Sequence, residues 1–252
     1  MKKTATTLLL VSISLPLQAQ WFDWQSPLVP RAADGSPDTD GPVPRTAEGG
    51  VDLSGLWVPV DASGTLFDTS RIHGWALEAM EEAEATFFTN DPRFHCLPAG
   101  PSSYPAGPTV GGIRRMLQRP DIIAILNPDM TYRQVFMDGR DHTDPDLYVP
   151  TYNGESIGHW EGKILVIETQ GFATEAHRVD GVPISDEFKI IERLSMSDDG
   201  QTIDVHYSMT NPQNWEGEWK SHKRYHRQDK AVKQRYAGVR WDPEQLVRKM
   251  GE

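Results

Sequence analysis

From residue 113 onward, the sequence is a succession of short segments rich in Val, Ile, Phe, Tyr and Thr, mostly separated by turn residues. Such segments are typical of β-strands. The candidate strands are 113–118, 121–127, 131–138, 160–170, 187–196, 202–210 and 219–228. Short connections favour an antiparallel meander, and a meander of about eight strands removes its exposed edges by closing. We therefore predict a mainly β protein with a lipocalin-like barrel, with a β-sandwich as the alternative.

The segment that precedes these strands predicts one helix and one long loop. Apolar residues recur at i, i+3 and i+4 spacing over residues 71–88, and Ser70 is a suitable N-cap, so this stretch predicts an amphipathic helix. Residues 98–112 are rich in Pro and Gly. Loops of that length are uncommon inside a domain and often line a site. Ser54-Gly55-Leu56-Trp57 is expected to open the first strand.

The N-terminus predicts export. Lys2 and Lys3 precede an apolar run over residues 7–17, and Leu17-Gln18-Ala19 provides a cleavage site, which together are typical of a signal peptide over residues 1–19. The run is too short to span a bilayer, and no later stretch is longer and equally apolar, so no transmembrane segment is expected. A Pro- and Gly-rich segment over 20–50, a single barrel-like domain over 51–240 and a short helix or tail over 241–252 follow. The expected location is the periplasm or the medium.

Composition excludes several classes of function. The chain has 252 residues with 36 acidic and 25 basic side chains, a net charge of −11, which argues against nucleic-acid binding. Its single cysteine, Cys96, excludes an intramolecular disulfide and a Cys-based zinc cluster. Neither a G-x-G-x-x-G motif nor a P-loop is present, so we expect no nucleotide cofactor. A metal is not expected either.

Strand parity predicts a carboxylate in the protein interior. If Asp199-Gly200 forms a two-residue hairpin loop, Leu194 pairs with Val205 and Glu192 pairs with Tyr207. Glu192 then lies on an otherwise apolar face beside a phenol. A buried carboxylate with a raised pKa suits general acid–base catalysis, and the alternative is a structural Glu–Tyr or Glu–Arg pair.

The densest group of polar residues lies between two predicted strands, in Asp138-Gly139-Arg140-Asp141-His142-Thr143-Asp144. His142 is a candidate proton shuttle, because the pKa of histidine lies near neutrality. Asp138 or Asp144 would orient it, and Arg140 would bind a carboxylate or stabilise an oxyanion. The alternative is a turn with surface charges. The candidate ligand-binding residues are Tyr148, Tyr152, His159, Trp160 and Trp57.

Two sharper motifs fit their structural contexts poorly. Gly154-x-Ser156-x-Gly158 matches the hydrolase elbow, but that elbow joins a strand to a helix, and here a strand is expected to follow. His222 and His226 have the spacing of a helical metal pair. On a strand they lie about 13 Å apart, which is too far to share an ion.

Several blocks together resemble a family of exported bacterial proteins. They are Ser54-Gly55-x-Trp57, Cys96-x-Pro98-x-Gly100, Asp138-Gly139-Arg140-x-His142, Gly154-x-Ser156-x-Gly158-x-Trp160-Glu161-Gly162, Gly171-Phe172 and Glu192-Arg193. The resemblance covers roughly residues 52–228 and implies the same fold and export route, without an established reaction. This chain departs from the family at Lys163-Ile164, where members carry Asp-Thr, and in the absence of a Trp soon after Gly171-Phe172. Gly55-x-Trp57 is also similar to the lipocalin signature, which implies that Trp57 plugs the barrel.

Two hypotheses about function follow. The first is an exported enzyme that performs cofactor-independent acid–base chemistry on a small, partly apolar molecule, as a lyase, hydratase, isomerase or hydrolase. In it, His142, Asp138, Arg140, Glu192 and Tyr207 are the catalytic candidates. The second is a lipocalin-like carrier of a hydrophobic ligand. Convergence of His142, Glu192 and Asp138 on one pocket would favour the enzyme. A third hypothesis, an interaction module, depends only on Trp21, Phe22 and Trp24.

Overall fold

A computed structural model describes residues 33–34, 46, 50–63, 68–87, 89, 97–98, 100–105, 114–127, 130–174, 178–179 and 181–228. The chain divides into two units, Met1–Asp38 and Thr39–Glu252. The described residues of the first unit are Ala33 and Asp34, which form a turn. All elements below belong to the second unit. The predicted signal peptide, the aromatic cluster at residues 21–24, Cys96 and the predicted C-terminal helix lie outside the described residues.

Nine strands close into a barrel, in the order β1-β11-β10-β9-β6-β5-β4-β3-β2. A separate pair, β7-β8, forms a small second sheet. The strands are β1 Gly55–Ser63, β2 Arg114–Gln118, β3 Ile122–Leu126, β4 Tyr132–Phe136, β5 Glu155–Glu161, β6 Ile164–Gln170, β7 Arg178–Val179, β8 Val182–Pro183, β9 Lys189–Met196, β10 Thr202–Thr210 and β11 Glu218–Arg227. The predicted mainly β barrel is confirmed, and closure leaves the nine strands without a free edge.

The register predicted from the Asp199-Gly200 turn is confirmed. Leu194 pairs with Val205, and Glu192 pairs with Tyr207. Burial alternates along β10, so that Ile203, Val205 and Tyr207 point into the core. The turn and the period-2 pattern together fix which face of β9 and β10 is inside, because a slip of one residue would invert every side chain.

Two local predictions differ from the structure. Residues 160–170 form two strands rather than one, because Gly162 turns the chain at a φ of +63°, where other residues are strained. The strand that precedes this turn, β5, begins at Glu155 and pairs with β4 in parallel through two residue pairs, Val135–Ser156 and Phe136–Ile157. The meander is therefore antiparallel except at this junction. A parallel junction needs a long crossover, which residues 137–154 provide.

The side chains of Trp57 on β1 and Arg227 on β11 pack together where these two strands pair. The Trp57 ring is fully buried, and its Nε1 donates to the Leu53 carbonyl oxygen at 2.8 Å. The Arg227 guanidinium lies 4.4 Å from the centroid of that ring and donates to the Ser54 carbonyl oxygen at 2.7 Å. Trp57 is therefore a core residue of β1 whose ring is held by a hydrogen bond and a cation–π contact.

The predicted helix forms, with narrower bounds. Helix α1 spans Gly74–Ala85 and buries Ala76, Met80 and Ala83, as the periodicity predicts. The prediction that Ser70 is its N-cap was wrong, because His73 occupies that position. Ser70 lies instead in a 3₁₀ turn over Thr69–Arg71, which Asp68 caps. Within the described part of the chain, no helix is long and apolar enough to cross a membrane.

Candidate functional site

A buried ion pair joins opposite walls of the barrel. Arg133 of β4 and Glu192 of β9 are each 1% exposed, and Arg133 Nη2 lies 2.5 Å from Glu192 Oε2. Arg133 also donates from Nε to Ser156 Oγ at 2.8 Å and from Nη2 to Thr169 Oγ1 at 2.6 Å. Its Nη1 has no hydrogen-bond partner among the described residues. The predicted burial of Glu192 is confirmed, and its charge partner is an arginine.

A second buried group surrounds the segment 100–105, which enters the core. The Tyr104 ring lies 3.6 Å below the Arg114 guanidinium, and the Tyr104 carbonyl oxygen accepts from Lys223 Nζ at 2.5 Å. Desolvation and the nearby Arg114 lower the pKa of Lys223 to about 7. Desolvation raises the pKa values of Tyr104, Tyr207 and Tyr225, so these phenols stay protonated near neutral pH. Segment 100–105 of the Pro/Gly-rich loop is therefore buried, and its Tyr104 side chain belongs to the hydrophobic core.

The crossover between β4 and β5 holds a histidine–carboxylate pair. His142 Nδ1 lies 3.0 Å from Glu155 Oε2, and the two side chains are 16% and 17% exposed. Glu155 also accepts from the Thr143 backbone N–H at 2.9 Å and from Thr143 Oγ1 at 2.6 Å. Burial raises the pKa of Glu155, but the hydrogen bonds from Thr143 and His142 outweigh it, so this pKa lies below its usual value. An ionised Glu155 therefore fixes the orientation of the His142 ring.

Tyr148 is held against the backbone at the end of β6. A Cβ atom at Gly171 would overlap the Tyr148 hydroxyl, so only glycine leaves room for this ring. Desolvation and the Glu155 charge raise the pKa of Tyr148 to about 12. Its hydroxyl is buried and has no hydrogen-bond partner among the described residues. Tyr148 is therefore a protonated donor that has no acceptor within the described part of the chain.

A cleft of about 630 Å³ lies along the β4–β5 junction. Its lining includes Glu155, Tyr148, Tyr152, Arg133 and Asn153. Three buried polar atoms of these residues lack a partner within the described chain: Arg133 Nη1, Tyr148 Oη and Asn153 Oδ1. The rest of the lining is mainly apolar or aromatic, including Pro98, Met130, Tyr132, Phe136 and Val149. Apolar walls with a few convergent polar atoms are typical of a small-molecule site.

Asp138 and Arg140 do not join this cleft. They form an exposed ion pair of 2.5 Å, and the Arg140 guanidinium lies over the Phe136 ring at 3.9 Å. The hydrogen bond from Arg140 lowers the pKa of Asp138. The expectation that Asp138 or Asp144 orients His142 was wrong, because Glu155 occupies that place. Asp144 instead accepts from the Asp146 backbone N–H at 3.0 Å.

The other predicted residues lie apart from the cleft. His159 is exposed and pairs with Glu161 at 3.4 Å, and Trp160 is exposed beside it. They follow Glu155 by four and five residues on β5, which places them about 13 Å and 17 Å from it along the strand. Tyr207 is buried beside Glu192, with its hydroxyl 3.4 Å from that of Tyr225. Of the ligand-binding candidates, only Tyr148 and Tyr152 line the cleft, and none of the five catalytic candidates does. The expected convergence of His142, Glu192 and Asp138 on this cleft is therefore not found, and His142 is connected to it only through Glu155.

The weaker motifs have structural explanations. Ser156 is 1% exposed in the middle of the barrel wall and hydrogen-bonds to Thr169 at 2.9 Å, so Gly154-x-Ser156-x-Gly158 is a strand and not a hydrolase elbow. His222 pairs with Asp204 at 2.8 Å on the outer face of β11. Among the described residues, no group of three or more His, Cys, Asp or Glu side chains is placed to hold a metal ion.

Sequence reasoning missed Arg133 and Glu155. Arg133 shares a strand face with Val135, so the parity argument that found Glu192 also applies to it. Glu155 gave no such signal, because its partners Thr143 and His142 come from a crossover that the predicted meander did not contain.

No family model, no curated protein and no solved structure matches this chain.

Proposed function

We propose that this protein is an exported enzyme that performs acid–base chemistry on a small, partly apolar molecule bound in the β4–β5 cleft. The observation that carries the proposal is the His142–Glu155 pair: Glu155 belongs to the lining of a cleft that also contains Tyr148 and Arg133, and its carboxylate holds His142 at 3.0 Å. A histidine held by a carboxylate beside a mainly apolar cleft is the arrangement that general acid–base catalysis requires.

The roles of these groups follow from their contacts. An ionised Glu155 accepts from Nδ1–H of His142, which leaves Nε2 to take a proton from the substrate and to return it. The Tyr148 hydroxyl supplies a hydrogen bond to an oxygen atom of the substrate, since it stays protonated and has no acceptor among the described residues. The reaction class is a lyase, hydratase, isomerase or hydrolase, each of which needs such a proton transfer.

Turnover in D₂O tests the proposal. Proton NMR of a panel of hydroxy acids, unsaturated acids and esters reports water loss, water addition, isomerisation, hydrolysis and C–H exchange in one experiment. We expect one class to be converted by the wild type and not by His142→Gln or Glu155→Gln at unchanged melting temperature. His159→Gln, an exposed histidine on β5, is the matched control and should keep full activity. Conversion that survives His142→Gln would refute the role of the pair.

A non-catalytic carrier of a hydrophobic ligand is the second candidate. The observation that favours it is the exposure of apolar lining residues: Met130 is 94% exposed, Val149 77% and Tyr132 62%. A carrier would bind its ligand equally well before and after the His142→Gln substitution. An enzyme would lose conversion on that substitution.

We also propose that the protein acts in the periplasm. Lys2, Lys3 and the apolar run that ends before Ala19 support cleavage after Ala19. The intact mass of the protein from a periplasmic extract should equal that of a chain that begins at Gln20. A chain that retains Met1–Ala19 in the cytoplasmic fraction would contradict this proposal.

A further inference from the structure

We infer that the β4–β5 cleft binds a carboxylate group of its ligand through Arg133, so that the substrates are small organic monocarboxylates with an apolar body. This inference rests on the proposed function only in placing the ligand in the same cleft. It goes further by naming the group that is recognised and the residue that recognises it.

The guanidinium of Arg133 is only partly used by the protein. Its Nε and Nη2 are committed to Ser156, Thr169 and Glu192. Its Nη1 has no partner among the described residues, although the side chain is 1% exposed and the residue lines the cleft. A buried donor without an acceptor destabilises the free protein, and a ligand oxygen that accepts from Nη1 recovers that loss.

The neighbouring groups favour a carboxylate. The Tyr148 hydroxyl is a second donor without an acceptor in the same lining. A carboxylate has two oxygens and accepts from a guanidinium and a phenol together, through hydrogen bonds that its charge strengthens. Three contacts hold Arg133 in place, so it is organised before the ligand arrives.

The charge of the lining favours one negative charge over two. Arg133 already pairs with Glu192, and Glu155 is a further acidic residue in the lining of the same cleft. A phosphate dianion would therefore be repelled by Glu155, and it would gain less from Arg133, because Glu192 already offsets the charge of that arginine. Apolar walls that include Phe136 and Val149 provide a surface for the rest of the ligand.

Arg140 is the competing anion-binding residue, since it lies in the adjacent crossover. Its guanidinium is held by both oxygens of Asp138, at 2.9 Å and 3.1 Å from Nε, and it is exposed to solvent. Water competes for an exposed arginine, so its contribution to anion binding is small. Arg140→Gln is therefore the matched control for Arg133.

Isothermal titration with two pairs of probes tests the inference on the purified protein: phenylacetate against phenylacetamide, and butyrate against butyramide. We expect each carboxylate to bind at least about tenfold more tightly than its amide, as a buried charge-assisted hydrogen bond implies. The preference should fall to about twofold or less in Arg133→Gln/Glu192→Gln, which removes both charges and leaves neither unpaired. It should stay at the wild-type value in Arg140→Gln.

The outcomes separate this inference from the proposed function. Equal binding of carboxylate and amide to the wild type overturns the carboxylate assignment and leaves the cleft as a site. No binding of either probe overturns both. A preference that survives in the double variant, or is lost in Arg140→Gln, overturns the assignment to Arg133. If the double variant does not fold, Arg133→Lys replaces it. Lysine keeps a cation against Glu192 but has no Nη1 donor, so the preference should fall several-fold.

Discussion

The barrel wall is built in two contrasting ways. Strands β9, β10 and β11 form a continuous antiparallel ladder, with eight residue pairs between β9 and β10 and nine between β10 and β11. Strands β4 and β5 meet in parallel through only two pairs. The ladder is a continuous wall, whereas the short junction borders a cleft whose lining includes the buried Arg133, and its crossover contains His142 and Tyr148. The candidate cleft thus lies where the regular strand pairing is interrupted, as is common for binding loops on a rigid sheet.

The largest effect is expected on the antiparallel side, at Trp57. Trp57→Ala should lower the free energy of unfolding by about 3–5 kcal/mol, because the ring is fully buried and its Nε1 is hydrogen-bonded. Urea denaturation measures this loss. Trp75→Ala is the control, since Trp75 is 53% exposed, and it should cost less than about 1 kcal/mol. Similar losses for the two variants would contradict the role of Trp57 as a core residue.

Lys223 on the ladder should make stability depend on pH. Its pKa is lowered from 10.5 to about 7, so the unfolded state binds one more proton between these values, and the free energy of unfolding rises with pH across that window. The slope is at most about 1.4 kcal/mol per pH unit. Urea denaturation at pH 7, 8 and 9 gives the free energy of unfolding of the wild type and of Lys223→Met, and the difference between the two should rise with this slope.

One control variant and an upper pH limit define the Lys223 experiment. Lys220→Met is the matched control, since it removes an exposed lysine of the same strand. Measurements stop at pH 9 because Tyr104, Tyr207 and Tyr225 have raised pKa values. Their unfolded forms ionise first, which lowers stability above about pH 10. A flat difference for Lys223→Met would mean that this amine is not desolvated.

The parallel junction should be sensitive to one added methyl group. A Cβ at Gly158 would lie 2.7 Å from Met137 Sδ and 2.9 Å from Val135 Cγ1, so Gly158→Ala should cost about 1–3 kcal/mol. Gly74→Ala is the control, because it meets no atom within 4 Å at the start of α1 and removes a flexible residue from a helix. That change should be neutral or stabilising by up to about 1 kcal/mol. Melting curves of both variants decide, and an unaffected Gly158→Ala would show that β4 and β5 are loosely packed.

The smallest effect on stability is expected in the crossover. His142→Ala should change the free energy of unfolding by less than about 1 kcal/mol, because the side chain contributes one partly exposed pair with Glu155. Thermal melting compares it with the wild type. A loss as large as that of Trp57→Ala would show that His142 holds the fold together and would remove it from the site.

What was predictable from the sequence follows the same division. The register of β9 and β10 and the burial of Glu192 follow from a local turn and a period of two, and both were predicted. A structural Glu–Arg pair was the alternative for Glu192, and the structure shows such a pair, but the identity of the arginine was not predicted, because Arg133 lies far earlier in the chain. Glu155 was missed for a related reason. A parallel junction leaves no turn signal, so the return of the chain from His142 to β5 is set by tertiary packing.

The position of a bound carboxylate distinguishes a site in the β4–β5 cleft from one in the barrel interior. Methionine methyl groups labelled with ¹³C report it, since Met130 lines the cleft while Met116 and Met209 are buried inside the barrel. Addition of phenylacetate to the wild-type protein should shift the Met130 methyl resonance and leave those of Met116 and Met209 in place. Shifts of Met116 and Met209 with an unchanged Met130 would place the ligand in the barrel interior and contradict a site at the β4–β5 junction.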